Sequence, residues 1–306
     1  MARGRHARVP GGARGLSGDA TGRLGRGGIG LLPLLVLPAV ALNLVTFLWP
    51  MLNLAGLSFR ESLPGGGLGE GTTLSTWSEL AADSFTYELI RTSVAVALGI
   101  TVLTLVAAYP LALFIDRASP RWRNLLVVAC ISPLLISAVV RTYGWLVILR
   151  DNGFLPGMLR LVGITPPRLV FNMTGVVIGM TEILMPYMIL ALLAGFGRLN
   201  VALEEAGASL GAAPFTVFRR IVLPLTMPGI LLGCLLTFVL AVSSFITPKL
   251  LGGGRVILLA TEIYDQAVVT LNWPVAAALS VLALVVFGAA LVGYGWLSRV
   301  IERSLA

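Results

Sequence analysis

The chain has 306 residues, 57% of them hydrophobic and 12% charged, against about 25% charged in an ordinary soluble protein. Its mean hydropathy is +0.92, and its apolar residues come in runs long enough to cross a bilayer, which excludes a soluble globular domain. The formal charge of +8 would suit nucleic acid, but six arginines crowd the first 26 positions and the only lysine is Lys249. That pattern is topology information, and the implied partner is membrane lipid rather than nucleic acid.

Cysteine and histidine use closes off several chemistries. Cys130 and Cys234 lie in separate apolar stretches, so they read as small buried hydrophobes rather than a disulfide framework or a thiol metal cage. The single histidine, His6, sits in a Gly/Arg-rich tail, which leaves no parts for a Ser-His-Asp triad or an H-E-x-x-H zinc site. The chain therefore reads as a non-catalytic protein that binds no metal or cofactor itself.

Residues 1–28, with Arg3, Arg5, Arg8, Arg14, Arg23 and Arg26 among glycines, contain almost nothing to bury and read as a flexible tail. Residues 29–306 form the membrane domain. Ile29 to Pro50 lacks an A-x-A cleavage pattern and is long enough to be a retained first span. Later spans are placed at Thr92–Ile115, Leu125–Leu149, Asn172–Ala194, Pro224–Ile246 and Pro274–Leu297. The fold class is thus an all-α polytopic membrane protein with six transmembrane helices.

Six spans put both termini on one side. That side carries 14 basic residues: the tail arginines, Arg117, Arg121, Arg123, Arg198, Arg219, Arg220, Arg299 and Arg303. The opposite side carries seven over longer loops: Arg60, Arg91, Arg150, Arg160, Arg168, Lys249 and Arg255. The positive-inside rule makes both termini cytoplasmic in a multi-pass inner or plasma membrane protein. The loop from Met51 to Arg91 is then external, and Trp77, Leu80 and Phe85 in it fit either a short interfacial helix or an irregular loop. Pro110, Pro133 and Pro186 interrupt spans, as bent packing or a translocation path would require. No internal repeat is visible, which counts against a gradient-driven carrier of a small organic solute, the alternative kept beside the reading below.

The cytoplasmic segment 198–224 reads RLNVALEEAGASLGAAPFTVFRRIVLP. It divides into two short helices. Asn200 caps the first, Glu204 and Glu205 lie in its early turns, and Gly211 ends it. Leu203, Ala206, Gly207 and Leu210 share a face by their spacing, and Pro214 opens the second helix. Phe215 and Phe218 of that second helix face apolar surroundings, with Arg219 and Arg220 near phosphate head groups. On these features alone the segment is equally an amphipathic connector.

Glu205-Ala206-Gly207, then Gly211, then Ile221-Val222-Leu223-Pro224 after nine intervening residues resembles the EAA signature of permease subunits in binding-protein-dependent ABC importers. Gly207 stands where that family usually has a second alanine. Arg141-Thr142-Tyr143-Gly144-Trp145, Leu184-Met185-Pro186-Tyr187, Phe245-Ile246-Thr247-Pro248, Leu250-Leu251-Gly252-Gly253 and Asn272-Trp273-Pro274 are similar to the spermidine/putrescine-type branch. Members of that branch also carry ferric iron, thiamine, phosphonates or opines.

The resemblance implies a type I ABC importer permease-like bundle, and for the segment 198–224 a coupling loop. Glu204, Glu205, Ala206, Gly207, Gly211, Ile221, Leu223 and Pro224 are its coupling residues. Since the chain has no G-x-x-x-x-G-K-[ST] phosphate loop, ATP and magnesium belong to separate ATP-binding subunits. A second permease subunit and an external solute-binding protein complete the assembly, the latter received by the loops Asp151–Val170 and Leu250–Trp273. Within the spans, Arg141 and Glu182 are the charges whose midspan burial costs at least about 2.5 kcal/mol each. Arg141 either snorkels to head groups or lines the route. Glu182 either lines it, is neutral, or pairs with Arg141. Tyr143, Trp145 and Tyr187 lie near these charges and suit an ammonium by cation–π contact or, for the first two, an interfacial belt.

Overall fold

The computed structural model describes residues 28–63, 65–197 and 199–305. The tail at positions 1–27 and Arg198 lie outside the described residues.

The described residues divide into two compact units at Leu54. Helix α1 (Gly28–Asn43) runs through one widened π turn, Leu44–Leu48, into α2 (Trp49–Leu57), whose last three residues lie past that division. Its polar side chains bond back to the carbonyl four residues earlier: Asn43 to Ala39 at 3.0 Å, Thr46 to Leu42 at 2.7 Å and Asn53 to Trp49 at 2.8 Å. Such back-bonding lets a polar residue sit in a helix that crosses hydrocarbon, because its side chain finds an acceptor within the helix itself.

The second unit opens with a small antiparallel hairpin, β1 (Arg60–Ser62) and β2 (Leu68–Thr72), followed by α3 (Ser75–Ala82). Of the two readings of this loop, the structure has the short helix, and it adds the hairpin. The hairpin turn uses Gly65, Gly66 and Gly67, all at positive φ, and Gly67 N–H donates to the Leu271 carbonyl at 3.0 Å. Ser62 Oγ donates to Asn272 Oδ1 at 2.9 Å, which fixes the hairpin against the start of the last helix.

The bundle is built on α4 (Ser84–Arg117), α8 (Met173–Phe196), α11 (Leu223–Ser243) and α14 (Trp273–Leu305). Helix α8 is central and lies against α4 and α11. The buried residues of α4 recur every three or four positions, Leu89, Ser93, Ala97, Ile100, Thr104, Ala108, Ala112 and Ile115, which is the stripe an amphipathic helix presents to a core. Two apolar clusters follow one another along the bundle. One holds Ala97, Ile100, Met180, Leu184, Phe238 and Ala241, and the other Ala108, Ile115, Met188, Leu192, Phe196 and Ile230. Where α8 crosses α11, a Cβ added to Gly195 would stand 2.6 Å from Gly229 Cα, so the two backbones touch. Close small-residue crossings of this kind drive helix association where the solvent is lipid.

The third span is not one straight helix. Helix α5 (Pro120–Ile131) continues through a 3₁₀ turn, Ser132–Leu135, and breaks before α6 (Ala138–Leu149) and α7 (Phe154–Leu161). The two halves meet at 99°. Pro133 withholds a backbone donor, and Ile136 (φ −95°, ψ 135°) and Ser137 (φ −54°, ψ 138°) leave the helical region. Among the described residues five helices are long and apolar enough to span, and six if the bent pair is one span. The predicted starts of the fourth and sixth spans fall within one residue of the observed helices, and the second begins eight residues earlier than predicted.

Candidate coupling helix and translocation path

Helix α9 (Val201–Ser209) starts where Asn200 Oδ1 accepts from the Ala202 N–H at 3.0 Å, a side-chain cap that satisfies one of the free donors of the first turn. It ends in a Schellman motif. Gly211, at φ +80°, donates to the Ala208 carbonyl at 2.9 Å, and Ala212 donates to the Gly207 carbonyl at 3.1 Å. A β-carbon would strain that positive φ, which is why glycine holds the position.

Helix α10 (Pro214–Val217) places Pro214 in its first turn and does not end as a separate helix. It runs through a π turn, Phe218–Val222, directly into α11, so the predicted second short helix is the N-terminal end of span five. The physical reason is Pro224: it withholds an N–H, and the ladder widens by one residue around it instead of breaking.

The signature residues fall into two groups in space. A Cβ on Gly207 would stand 3.1 Å from Ile221 Cδ1 and 3.4 Å from Val217 Cγ2, so α9 packs on the π turn through its glycine. Leu223 packs with the cluster of Leu192 and Phe196, and Pro224 opens α11. Glu205 and Ala206 face outward instead, and beside them Leu203 and Leu210 of the predicted face are open, Leu210 being 89% exposed. Phe218 meets Tyr109 edge-on at 5.9 Å, whereas Phe215 is exposed rather than set in apolar surroundings within the chain.

Glu204 is drawn the other way. Arg117, at the end of α4, donates to its carboxylate at 2.7 Å. Sequence reading assigned Arg117 to topology alone, and no local signal marks a pair 87 residues apart. Tyr109 Oη and Thr226 Oγ1 share a hydrogen bond at 3.0 Å, which ties α4 to α11 as the ion pair ties α4 to α9. Asp116, Arg117, Glu204, Glu205, Ala208 and Val217 help to line a cleft of about 710 Å³ at this end.

In the bundle, α6 and α8 carry the predicted path residues. Trp145 Nε1 donates to Glu182 Oε2 at 2.7 Å. Arg141 Nη1 donates to the Ile183 carbonyl at 3.4 Å, and its Nε is buried with no partner. Pro186 lies one turn along α8 and lacks the N–H that would hold the carbonyl of Glu182. Tyr187 is half-buried against the first apolar cluster, and Tyr143 is 54% exposed on another face of α6. The ion pairs among the described residues join Arg117 to Glu204, Arg123 to Asp116 and Lys249 to Asp265. Arg141 and Glu182 are therefore brought to neighbouring positions without forming the pair that was one of the expected alternatives.

The profile of the family described as "Binding-protein-dependent transport system inner membrane component" matches residues 108–305. The chain belongs to that family. It is a permease of the binding-protein-dependent importer class, which decides against the gradient-driven carrier, and it is a multi-pass inner-membrane protein. The permease is 33% identical over 265 residues to the spermidine/putrescine transport system permease protein PotB of Escherichia coli K12, covering 86% of this chain and 96% of that one. It is 37% identical over 194 residues to the PotB of Haemophilus influenzae, covering 61% of this chain and 68% of that one. In fold, it is similar to a chain of a bacterial alginate ABC transporter crystallised with its alginate-bound periplasmic protein. The TM-score is 0.69 at 19% identity over 89% of this chain and 95% of that one.

Proposed function

We propose that this permease conducts polyamines of the spermidine and putrescine kind inward, as one half of a paired permease moved by separate ATP-binding subunits. The likeness to the two PotB proteins supports the substrate class. The observation that carries the coupling is the arrangement of α9: a capped helix fixed to span five through Gly207 and to span two through Arg117, with Glu205, Ala206 and Leu210 turned outward.

An outward-facing helix attached at two points is a lever. A groove on an ATP-binding subunit takes Glu205 and its exposed apolar neighbours. When ATP and magnesium close the ATPase pair, the displacement of α9 passes to α11 by the Gly207–Ile221 contact and to α4 by the Arg117–Glu204 pair. The bundle answers as packed helices do, by shifting between discrete arrangements that open its central route to one side or the other. Both termini, the loop 198–224 and the tail lie on the cytoplasmic side in this reading, and an external solute-binding protein delivers the substrate opposite. Glu182 offers a carboxylate to the passing ammonium groups, oriented by the Trp145 indole, with Tyr187 and Arg141 along the same route and Tyr143 on another face of α6.

The test is Glu205→Lys in the assembled transporter. ATP hydrolysis is expected to persist while polyamine uptake is lost, with the variant present in the membrane at the normal level. Unchanged uptake would overturn the docking role of α9.

A further inference from the structure

Lys249 and Asp265 form an ion pair outside both regions described so far. Helix α12 (Ile246–Gly252) leaves α11 through a break at Ser244 and Phe245, and its Thr247, Pro248, Leu251 and Gly252 are buried. Thr247 Oγ1 shares a hydrogen bond with Thr142 Oγ1 at 3.0 Å, and the Leu251 carbonyl accepts from the Phe171 N–H at 2.7 Å. One face of this short helix is thus fixed in the bundle, while Lys249 on the other keeps 36% of its side chain exposed. Helix α13 (Leu259–Tyr264) is held by the Leu259 N–H donating to Ser93 Oγ at 2.7 Å, and it widens into the π turn Asp265–Val269.

This arrangement sets a carboxylate and an aromatic ring around one ammonium. Lys249 Nζ donates to both oxygens of Asp265, at 2.6 Å to Oδ2. It stands 5.9 Å from the centroid of the Tyr264 ring, which stacks on Phe245 with centroids 4.9 Å apart and planes 14° from parallel. One turn before Asp265, Glu262 accepts from the Gln266 side-chain amide at 2.8 Å and is in none of the ion pairs among the described residues. A carboxylate beside a stacked aromatic pair is the recognition chemistry of a primary ammonium. Gly179, which lies against Leu251 and Thr247 of α12 and near Trp145 of α6, is one helical turn from Glu182. The buried face of α12 thus packs on the helices that carry Trp145 and Glu182, and its other face presents Lys249.

The side chain in this cluster is the chain's only lysine, a primary ammonium on a four-carbon stem. That is one end of a putrescine in all but its tether. Exchange of one such ammonium for another replaces one charge-assisted contact of Asp265 by an equivalent one.

We propose that Asp265, Tyr264 and Phe245 form a primary-ammonium subsite of the translocation path, in which Lys249 holds the place of the substrate's ammonium until substrate displaces it. The inference rests on the polyamine reading and adds a second station to it, outside Arg141 and Glu182.

The test uses the complete transporter with its ATPase, second permease and binding protein, in proteoliposomes, with labelled spermidine and putrescine as probes. Asp265→Asn is expected to reduce uptake about tenfold or more, whereas Lys249→Gln keeps uptake at or above the wild-type rate, because it removes only the competing tethered ammonium. An ion pair that merely holds the fold predicts equal losses from both changes. A readout on the unaltered protein accompanies this: acylation of Lys249 by an amine-selective reagent, followed on its own peptide by mass spectrometry. Polyamine-loaded turnover is expected to speed that labelling several-fold over turnover-free controls, since displacement frees the amine. Wild-type uptake with equal losses in the two variants, or labelling that substrate leaves unchanged, would overturn the subsite while the polyamine reading stands. Absence of polyamine uptake by the wild-type assembly would overturn both.

Discussion

Gly207 stands where the resembling signature has alanine, and the structure turns that departure into a measurable quantity. A Cβ there would lie 3.1 Å from Ile221 Cδ1 and 3.4 Å from Val217 Cγ2, against an ordinary carbon contact of roughly 3.5–4.0 Å. The nearer atom is the terminal methyl of a half-buried side chain, and moving it a few tenths of an ångström costs less than about 1 kcal/mol. Replacing glycine by alanine inside a helix returns about 1 kcal/mol of propensity. Gly207→Ala should therefore leave α9 as stable as before or slightly more so. Gly207→Val adds two methyl groups beyond that Cβ with no room on that side, an overpacking of about 1–3 kcal/mol, which α9 relieves by tilting off the π turn. Within that range, a loss on the order of 1.4 kcal/mol in the coupled arrangement is tenfold. The assay is solute imported per ATP hydrolysed in proteoliposomes holding the whole transporter. Alanine should stay within about twofold of wild type and valine should fall about tenfold. Valine behaving as wild type, or alanine failing as valine does, would refute the claim that the Gly207–Ile221 contact carries the motion.

Other perturbations separate the remaining parts. Arg117→Ala breaks a pair whose side chains are 54% and 22% exposed, so it should cost at most about 1 kcal/mol of stability yet lower uptake per ATP. Arg117→Ala combined with Glu204→Gln should be no worse than either alone in the same assay. Gly195→Val places its Cβ 2.6 Å from Gly229 Cα and 2.9 Å from Gly229 N. No side chain there can yield, so this variant should cost more than about 3 kcal/mol and give no monodisperse peak in detergent size-exclusion chromatography. Glu182→Gln retains an oxygen to accept from Trp145 Nε1, so it should keep normal membrane levels and weaken uptake of a cationic substrate. Normal uptake would assign Glu182 a structural role.

What was legible in the sequence was written in local chemistry. Asn200, Gly211 and Pro214 mark the ends of α9 and the start of α10 because a cap, a positive φ and a missing N–H act within a few residues. Asn172 likewise marks the start of α8, where its side chain accepts from Gly175 N–H at 2.9 Å. Pro224 misled for the same reason, since a proline near a helix start reads as a boundary, and the π turn that absorbs it has no signature of its own. The break in span three was half visible: Pro133 announces an interruption, but the angle depends on Ile136 and Ser137 leaving the helical region. Strands of three and five residues around a glycine-rich turn gave too little alternation to announce the hairpin. The pairs Arg117–Glu204 and Lys249–Asp265 are products of packing, and only the fold brings their members together.

The lever account is tested most directly at Leu210, the apolar residue that caps the end of α9 and is 89% exposed. A cysteine placed there in the intact transporter, in sealed membrane vesicles, should cross-link to the ATP-binding subunit, with a yield that changes when ATP is bound. A Leu210→Cys that forms no adduct with that subunit and reacts with an impermeant thiol reagent from the external face would contradict the account.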